Sequence, residues 1–361
     1  MDFKEKIEST KEVFESFWRR EEVERCLISV TAPRKGTQWL PPENVSLETK
    51  WLDVDYRIDR FKKEAETIYY GGETIPVFFP NLGPGVLAEF MGSPYELAKE
   101  TVWFETKPMI SDYEGRKKLA LRYDTKLRSV MQELRKKCAK EGIFVTTTDL
   151  GGGLDIAASL RGTENLLMDM AFEPEEVRRL LEEIDECWVK TIEEIFTEDA
   201  QNQVGYSSWL PLWSSERFYP LQSDLSVNIS TDMYEDLVLP ELHRQSAPLG
   251  RVLYHLDGPG EIRHLDALLS LDRLDAIECV PLPDGRGYLD VDNPMWMDVY
   301  HRIQAAGKGL IIRMVAPDKI KTLLTSLSHR GLFVTTSAAS EEEAEDLLKV
   351  AKTWAKEVKQ K

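Results

Sequence analysis

The sequence predicts an α/β protein: a (β/α)8 TIM barrel in a single domain with an N-terminal helical extension. Three observations carry this expectation. In the C-terminal half, short apolar runs and helical patterns alternate four times, the cadence of βα units on a parallel sheet. Along the whole chain there are about eight or nine strand candidates, with helices between most of them. The length, 361 residues, is long for one compact core but ordinary for an α/β barrel. An open doubly wound sheet is the competing architecture. No G-x-G-x-x-G follows a strand, and Gly151-Gly152-Gly153 reads as a tight turn rather than a phosphate cradle.

The elements follow in order. The first 20 residues are charged and helical in pattern, without the apolar core of a signal peptide. Residues 1–70 are expected to form an extension packed on the barrel, and 71–361 the barrel itself. Strand candidates are 25–32, 75–80, 143–148 and 203–208, with 225–230 weaker. A long helix opens at Pro174 with Glu175 and Glu176 in its first turn. Val177, Leu180, Leu181, Ile184 and Trp188 form its buried stripe. The run 251–257 is a strand, 261–271 a helix and 275–280 a strand. Asn293-Pro294 opens a helix that closes on Gly307 and Gly309. Strand 310–315, a helix ending at Gly331, strand 332–337 and a last helix to about Val358 complete the chain. Ser340 to Glu343 is the capping box of that last helix.

Composition narrows the function. The formal net charge of −17 repels nucleic acid and anionic membranes. No run approaches 18 consecutive apolar residues, so no membrane span is expected. Cys26, Cys138, Cys187 and Cys279 are scattered without a CxxC, which favours a reducing, cytoplasmic setting over a disulfide framework.

In a barrel the chemistry sits at the C-terminal strand ends. The polar residues there are Asn81, Asp149, Tyr206, Ser207, Gln222, Asp224, His255, Asp257, Glu278, Arg313 and Thr336. His255 and Asp257 are two apart, so they share a face of their strand, and Glu278 ends the next strand. One imidazole and two carboxylates from adjacent strands suit a zinc site with an open position, or a proton relay. The plainer alternative is that Asp257 caps the loop and His255 is a hydrogen-bonded wall residue. The stretch 205–224 carries Tyr206, Trp209, Trp213, Phe218 and Tyr219 and is interrupted by Pro211 and Pro220. It reads as a long loop, either walling a pocket for a flat substrate or packing onto the barrel. Gln222 and Asp224 close that loop. Cys279 alternates to the face opposite Glu278, where burial is expected. His243, His264, His301 and His329 fall in or beside helices and are expected to be structural or exposed.

Five stretches in order resemble the uroporphyrinogen decarboxylase superfamily: "PNLGPGVLAEFMGS" (80–93), "DLGGGLDIAASLRGTENLLMDM" (149–170), "LQSDLSVNISTDMYEDLVLPEL" (221–242), "YHLDGPGEIRHLDALLSLDRLDAIECV" (254–280) and the run from Ile303 to Ser337. The resemblance spans about residues 70–355. It implies a (β/α)8 barrel and one of two activities: cofactor-free porphyrinogen decarboxylation, or methyl transfer involving corrinoid proteins. The chain lacks the arginine-rich N-terminal loop of the decarboxylases, with Arg34, Arg57 and Arg60 in its place, and "GLFVTTSAAS" carries no histidine. Against the zinc-dependent branch that serves coenzyme M, His255-x-Asp257 resembles His-x-Cys with a carboxylate for the thiolate. The later cysteine is absent around Thr335, Thr336 and Ser337.

A His/Asp/Glu set is hard in character and suits an ether or amine donor better than a thiol. The expectation is therefore a corrinoid-dependent methyltransferase. It would move a methyl group from a small methylated substrate, an aromatic methyl ether first, to the cobalt of a partner corrinoid protein. His255, Asp257 and Glu278 would hold zinc, with Asp224 beside them as a further catalytic group. Tyr206, Trp209, Trp213, Phe218, Gln222, Asn81 and Arg313 would bind substrate. No D-x-H-x-x-G pattern marks a corrinoid-binding segment, so the corrinoid is expected on a separate protein. A homodimer is left open. The alternatives are a cofactor-free decarboxylase using Asp149 or Asp224, and a non-catalytic ligand-binding barrel.

Overall fold

The computed structural model describes residues 3–105, 107–281 and 290–358. Its centre is a sheet of seven strands: β1 (Leu27–Pro33), β2 (Ile68–Gly72), β3 (Phe218–Leu221), β4 (Arg251–Leu256), β5 (Leu274–Cys279), β6 (Gly309–Val315) and β7 (Leu332–Ser337). The spatial order is β2-β1-β7-β6-β5-β4-β3. Every neighbouring pair is parallel except β1 with β2. Strands such as β6, "GLIIRMV", are buried over most of their length, as parallel strands covered by helices on the outside must be.

The helices expected between the later strands form where the capping signals place them. Asn293 accepts the N–H of Met295 and opens Pro294–Ala305, with proline in the first turn. Pro317–Ser326 and Glu341–Val358 follow β6 and β7. The helix Pro174–Asn202 buries Val177, Leu180, Leu181, Ile184 and Trp188, the stripe read from the sequence.

Several elements differ from expectation, each for a physical reason. Residues 225–230 form no strand: Asp224–Asn228 is a 3₁₀ turn, because the Asp155 carboxylate takes the N–H groups of Asp224 and Leu225. The strand β3 was hidden inside the apparent loop 205–224 by Pro220. On an edge of the described sheet, a proline that cannot donate is tolerated. The antiparallel strand β2 had no sequence signal. The segments 75–80 and 143–148 meet through one parallel bridge, Phe78 with Val145. The Phe78 N–H donates to Phe144 O at 2.8 Å and the Thr146 N–H to Phe78 O at 2.9 Å. The expected boundary at residue 70 cuts across the sheet, since β1 lies between β2 and β7.

The helix α1 (Phe3–Arg19) explains the rest of the N-terminal extension. Ile7, Phe14, Phe17 and Trp18 recur at helical spacing and pack against Leu27, Phe218, Leu253, Ala276, Ile311 and Phe333, which lie early in the strands. The Trp18 indole N–H donates to Trp213 O at 2.9 Å. So α1 closes the N-terminal end of the sheet, and the opposite end, where the parallel strands finish, is left for chemistry. Among the described residues no helix is long and apolar enough to cross a membrane.

Candidate functional site

Register builds the site. In the parallel pairing of β4 with β5, His255 stands directly opposite Glu278, and Glu278 in turn stands opposite Ile311 of β6. The His255 Nδ1 lies 2.6 Å from Glu278 Oε2. Arg313, two residues past Ile311, brings Nη1 to 3.1 Å from Glu278 Oε1. Glu278 is fully buried. A lone carboxylate there would cost several kcal/mol, so its two cationic partners decide its state. Burial works to raise its pKa, but His255 and Arg313 outweigh burial and hold it below the ordinary glutamate range. For His255, burial disfavours the charged ring. Glu278 first, then Asp224 and Asp257, override this and carry its pKa to about 10.

With Nδ1 committed to Glu278, Nε2 is the nitrogen left for another ligand. Asp224, His255 and Asp257 each offer one donor atom, and the three atoms lie within 4.8 Å of one another. This corrects the expected ligand set. Glu278 does not complete the triad. It stands behind His255, where a carboxylate fixes the ring's orientation and tautomer, and Asp224 takes its place in front. One imidazole nitrogen and two carboxylate oxygens are a hard donor set that fits a divalent cation such as zinc with positions to spare. Further carboxylates crowd behind the group. Burial raises Asp149 and Asp155 to about 6, and burial, with Asp155 facing it, raises Asp224 well above the ordinary aspartate range. A cation would relieve that crowding.

Asp155 was not singled out in the sequence. Its signal was its place in the first turn of the helix Gly153–Arg161, two residues past the glycine triplet. That triplet serves packing: Gly151 has φ +84°, and a Cβ on Gly152 would sit 2.0 Å from Gln222 O. Also unread was the β-bulge in β6. Register shifts between Ile312 and Val315, and Met314 takes φ +50°, a rare conformation for a non-glycine residue. The bulge falls next to Arg313, and the Met314 N–H donates to Thr335 Oγ1 at 3.0 Å.

Of the expected aromatic wall, Trp209 meets the site. Its ring lies edge-on to His255 at 6.3 Å between centroids, to Tyr219 at 5.2 Å, and tilted to Phe79 at 6.4 Å. Tyr206 packs edge-on against Phe196. Trp213 and Phe218 are corrections: both are buried in the cluster under α1, with Phe218 against Trp18 and the Trp213 indole donating to Val204 O. Pro220 obscures a strand, so Phe218, its first residue, lies in the core rather than in a substrate-binding loop. Gln222 is buried beside Gly152. Asn81 uses Oδ1 to accept the Gly83 N–H and lies on a separate cavity with Arg57. Thr336 donates to Val315 O at 2.6 Å and serves the sheet. Cys279 is buried, its thiol pushed far up by burial. His264 stacks on Tyr234 at 4.3 Å, His329 is buried, and His243 and His301 are exposed.

No protein-family model matches the chain, and no curated protein matches its sequence. Among solved structures the chain is similar to a methyltransferase from Methanosarcina mazei. The TM-score is 0.60 at 11% sequence identity, over 94% of this chain and 97% of that chain. At that identity the likeness is one of fold: an α/β architecture shared over nearly the whole of both chains.

Proposed function

We propose that this protein is a methyltransferase of the uroporphyrinogen decarboxylase-like type, moving a methyl group from a small methylated substrate to the cobalt of a separate corrinoid protein. The observation that carries the reading is the Asp224, His255 and Asp257 group at the C-terminal end of parallel strands, backed by Glu278. The shared fold with a methyltransferase supports it. We read the sheet as closing into a (β/α)8 barrel through segments 75–80, 143–148 and 206–208. The side-chain contact of Ser29 with Thr74 and the Thr147 N–H to Ser207 O bond support that closure.

Asp224, His255 and Asp257 would hold a divalent cation, zinc first, which when bound supplies Lewis acidity toward the oxygen or nitrogen that carries the methyl group. The chain's own residues do the rest. Glu278 accepts from Nδ1 and aims Nε2 at the front of the site, and Arg313 keeps Glu278 charged. Trp209 sets an aromatic edge beside His255, which favours a flat donor such as an aromatic methyl ether. In the reaction, Co(I) of the corrinoid attacks the methyl carbon. The carbon–oxygen bond breaks, the methyl group passes to cobalt, and the oxygen keeps the bonding pair and takes a proton.

The carboxylates around His255 speak against the decarboxylase alternative. Among the described residues, Asp149, Asp155, Asp224, Asp257 and Glu278 gather around His255, and Arg313 pairs with Glu278, an acidic lining that disfavours a polycarboxylate. The test is spectroscopic: a Co(I) corrinoid protein mixed with enzyme and a panel of methoxylated and N-methylated compounds. A methyl-cobalt band with at least one donor, reduced about a hundredfold or more in rate by His255→Ala, is expected. No band with any donor, alongside carboxyl loss from uroporphyrinogen, would overturn the reading.

A further inference from the structure

A cavity of about 400 Å³, whose lining includes none of Asp224, His255 and Asp257, is walled by Trp51, Phe61, Phe78 and Phe79 and carries Arg57 and Asn81 on its lining. Of its other charges, Glu100 lies 4.0 Å from Lys99 at the exposed margin. Lys50 lies 3.4 Å from Glu43, and Arg60 Nε lies 2.8 Å from Glu64. Arg57 is different. Among the described residues no carboxylate is within ion-pair distance of it. Its Nη1 donates to Trp51 O at 3.1 Å and its Nη2 to Asn81 O at 2.8 Å, both neutral carbonyls. Two of its five N–H groups are spent in this way and three remain. The guanidinium also sits over the Phe78 ring, 5.8 Å from the centroid, and Phe61 meets that ring edge-on at 5.4 Å.

We propose that this cavity is a binding site for a small aromatic carboxylate, with Arg57 as its anion receptor and the phenylalanine walls holding the ring. The two carbonyl bonds fix the guanidinium plane in advance, so little freedom is lost when a carboxylate takes the remaining donors in a forked pair. Burial pulls the Arg57 pKa down to about 10, only partly offset by Glu43, as expected of a cation short of counter-charge. The aromatic lining supplies apolar contact, and a neutral ligand would leave the arginine as it is. The site stands independently of the chemistry at His255.

Binding of 4-fluorobenzoate and of the neutral 4-fluorobenzamide, followed by fluorine NMR on the full chain, tests this. The acid is expected to bind at least about tenfold more tightly than the amide. Arg57→Gln should abolish that preference, Arg57→Lys should lower it, and Arg60→Gln should leave it in place. Thermal melts check that each variant folds. If Arg57→Gln does not fold, the wild-type preference and its decline in Arg57→Lys decide. Equal binding of acid and amide by the wild type, no binding of either, or an undiminished preference in the Arg57 variants would overturn the proposal.

Discussion

Glu278 is the residue on which the site's electrostatics turn. It has no solvent contact, and its charge does the most to lift His255 to about 10 against the cost of burial. Glu278→Gln keeps the shape and removes the charge. In the metal-free variant the His255 titration, followed by NMR of the ring, should fall from about 10 toward the ordinary histidine value of 6.5. An unchanged titration would show that Asp224 and Asp257 suffice without Glu278. The sign for stability follows. Folded His255 holds its proton more tightly than in the unfolded chain. The contribution of the His255 proton is therefore complete below a pH of about 6.5 and is lost as pH rises through about 10, while that of Glu278, whose pKa is depressed, is lost as pH falls below the ordinary glutamate range. At this scale the sequence was informative but incomplete. The H-x-D spacing put His255 and Asp257 on one face, yet nothing in a linear pattern distinguishes a ligand from the group that orients it. That distinction rests on the β4–β5 register, which sets Glu278 on Nδ1, and on a turn at Asp224 that only the Asp155 carboxylate explains.

At the scale of elements, α1 and the β3 segment show what was hidden and why. The first 20 residues read as a charged helix, and the structure shows that Ile7, Phe14, Phe17 and Trp18 form its apolar face over one end of the sheet. Trp18 is fully buried and donates one hydrogen bond, so Trp18→Ala should destabilise the protein by ~3–5 kcal/mol through loss of the ring and the cavity left behind. Urea denaturation reads this directly, and a loss below ~1 kcal/mol would mean that α1 is not an integral part of the core. The same cluster took Trp213 and Phe218 out of the expected pocket. Aromatic content in a proline-punctuated stretch identifies residues that must be buried somewhere, but it does not say at which end of a sheet. The later βα units were legible because capping residues, glycine stops and apolar runs agree there. The strand β2 was not, because "IYYGG" is short and gains its place only by pairing with β1.

For the whole molecule, the parallel sheet with α1 beneath it leaves one end free, and the acidic composition, carried inward, converges on that end. If the sheet closes as proposed, the Thr146 and Thr147 amides, which pair with Phe78 and Ser207, should exchange slowly with solvent, within about tenfold of the central β4 amides. Rapid exchange there would favour the open doubly wound sheet. The central claim is that Asp224, His255 and Asp257 are a cation centre at that free end. Its most direct test is the metal content of the purified chain after equilibrium dialysis against trace zinc, compared with a folded His255→Ala variant. The account predicts about one zinc per wild-type chain and loss of nearly all of it in the variant. Wild-type protein that emerges without metal, or a variant that retains the same amount, would contradict it.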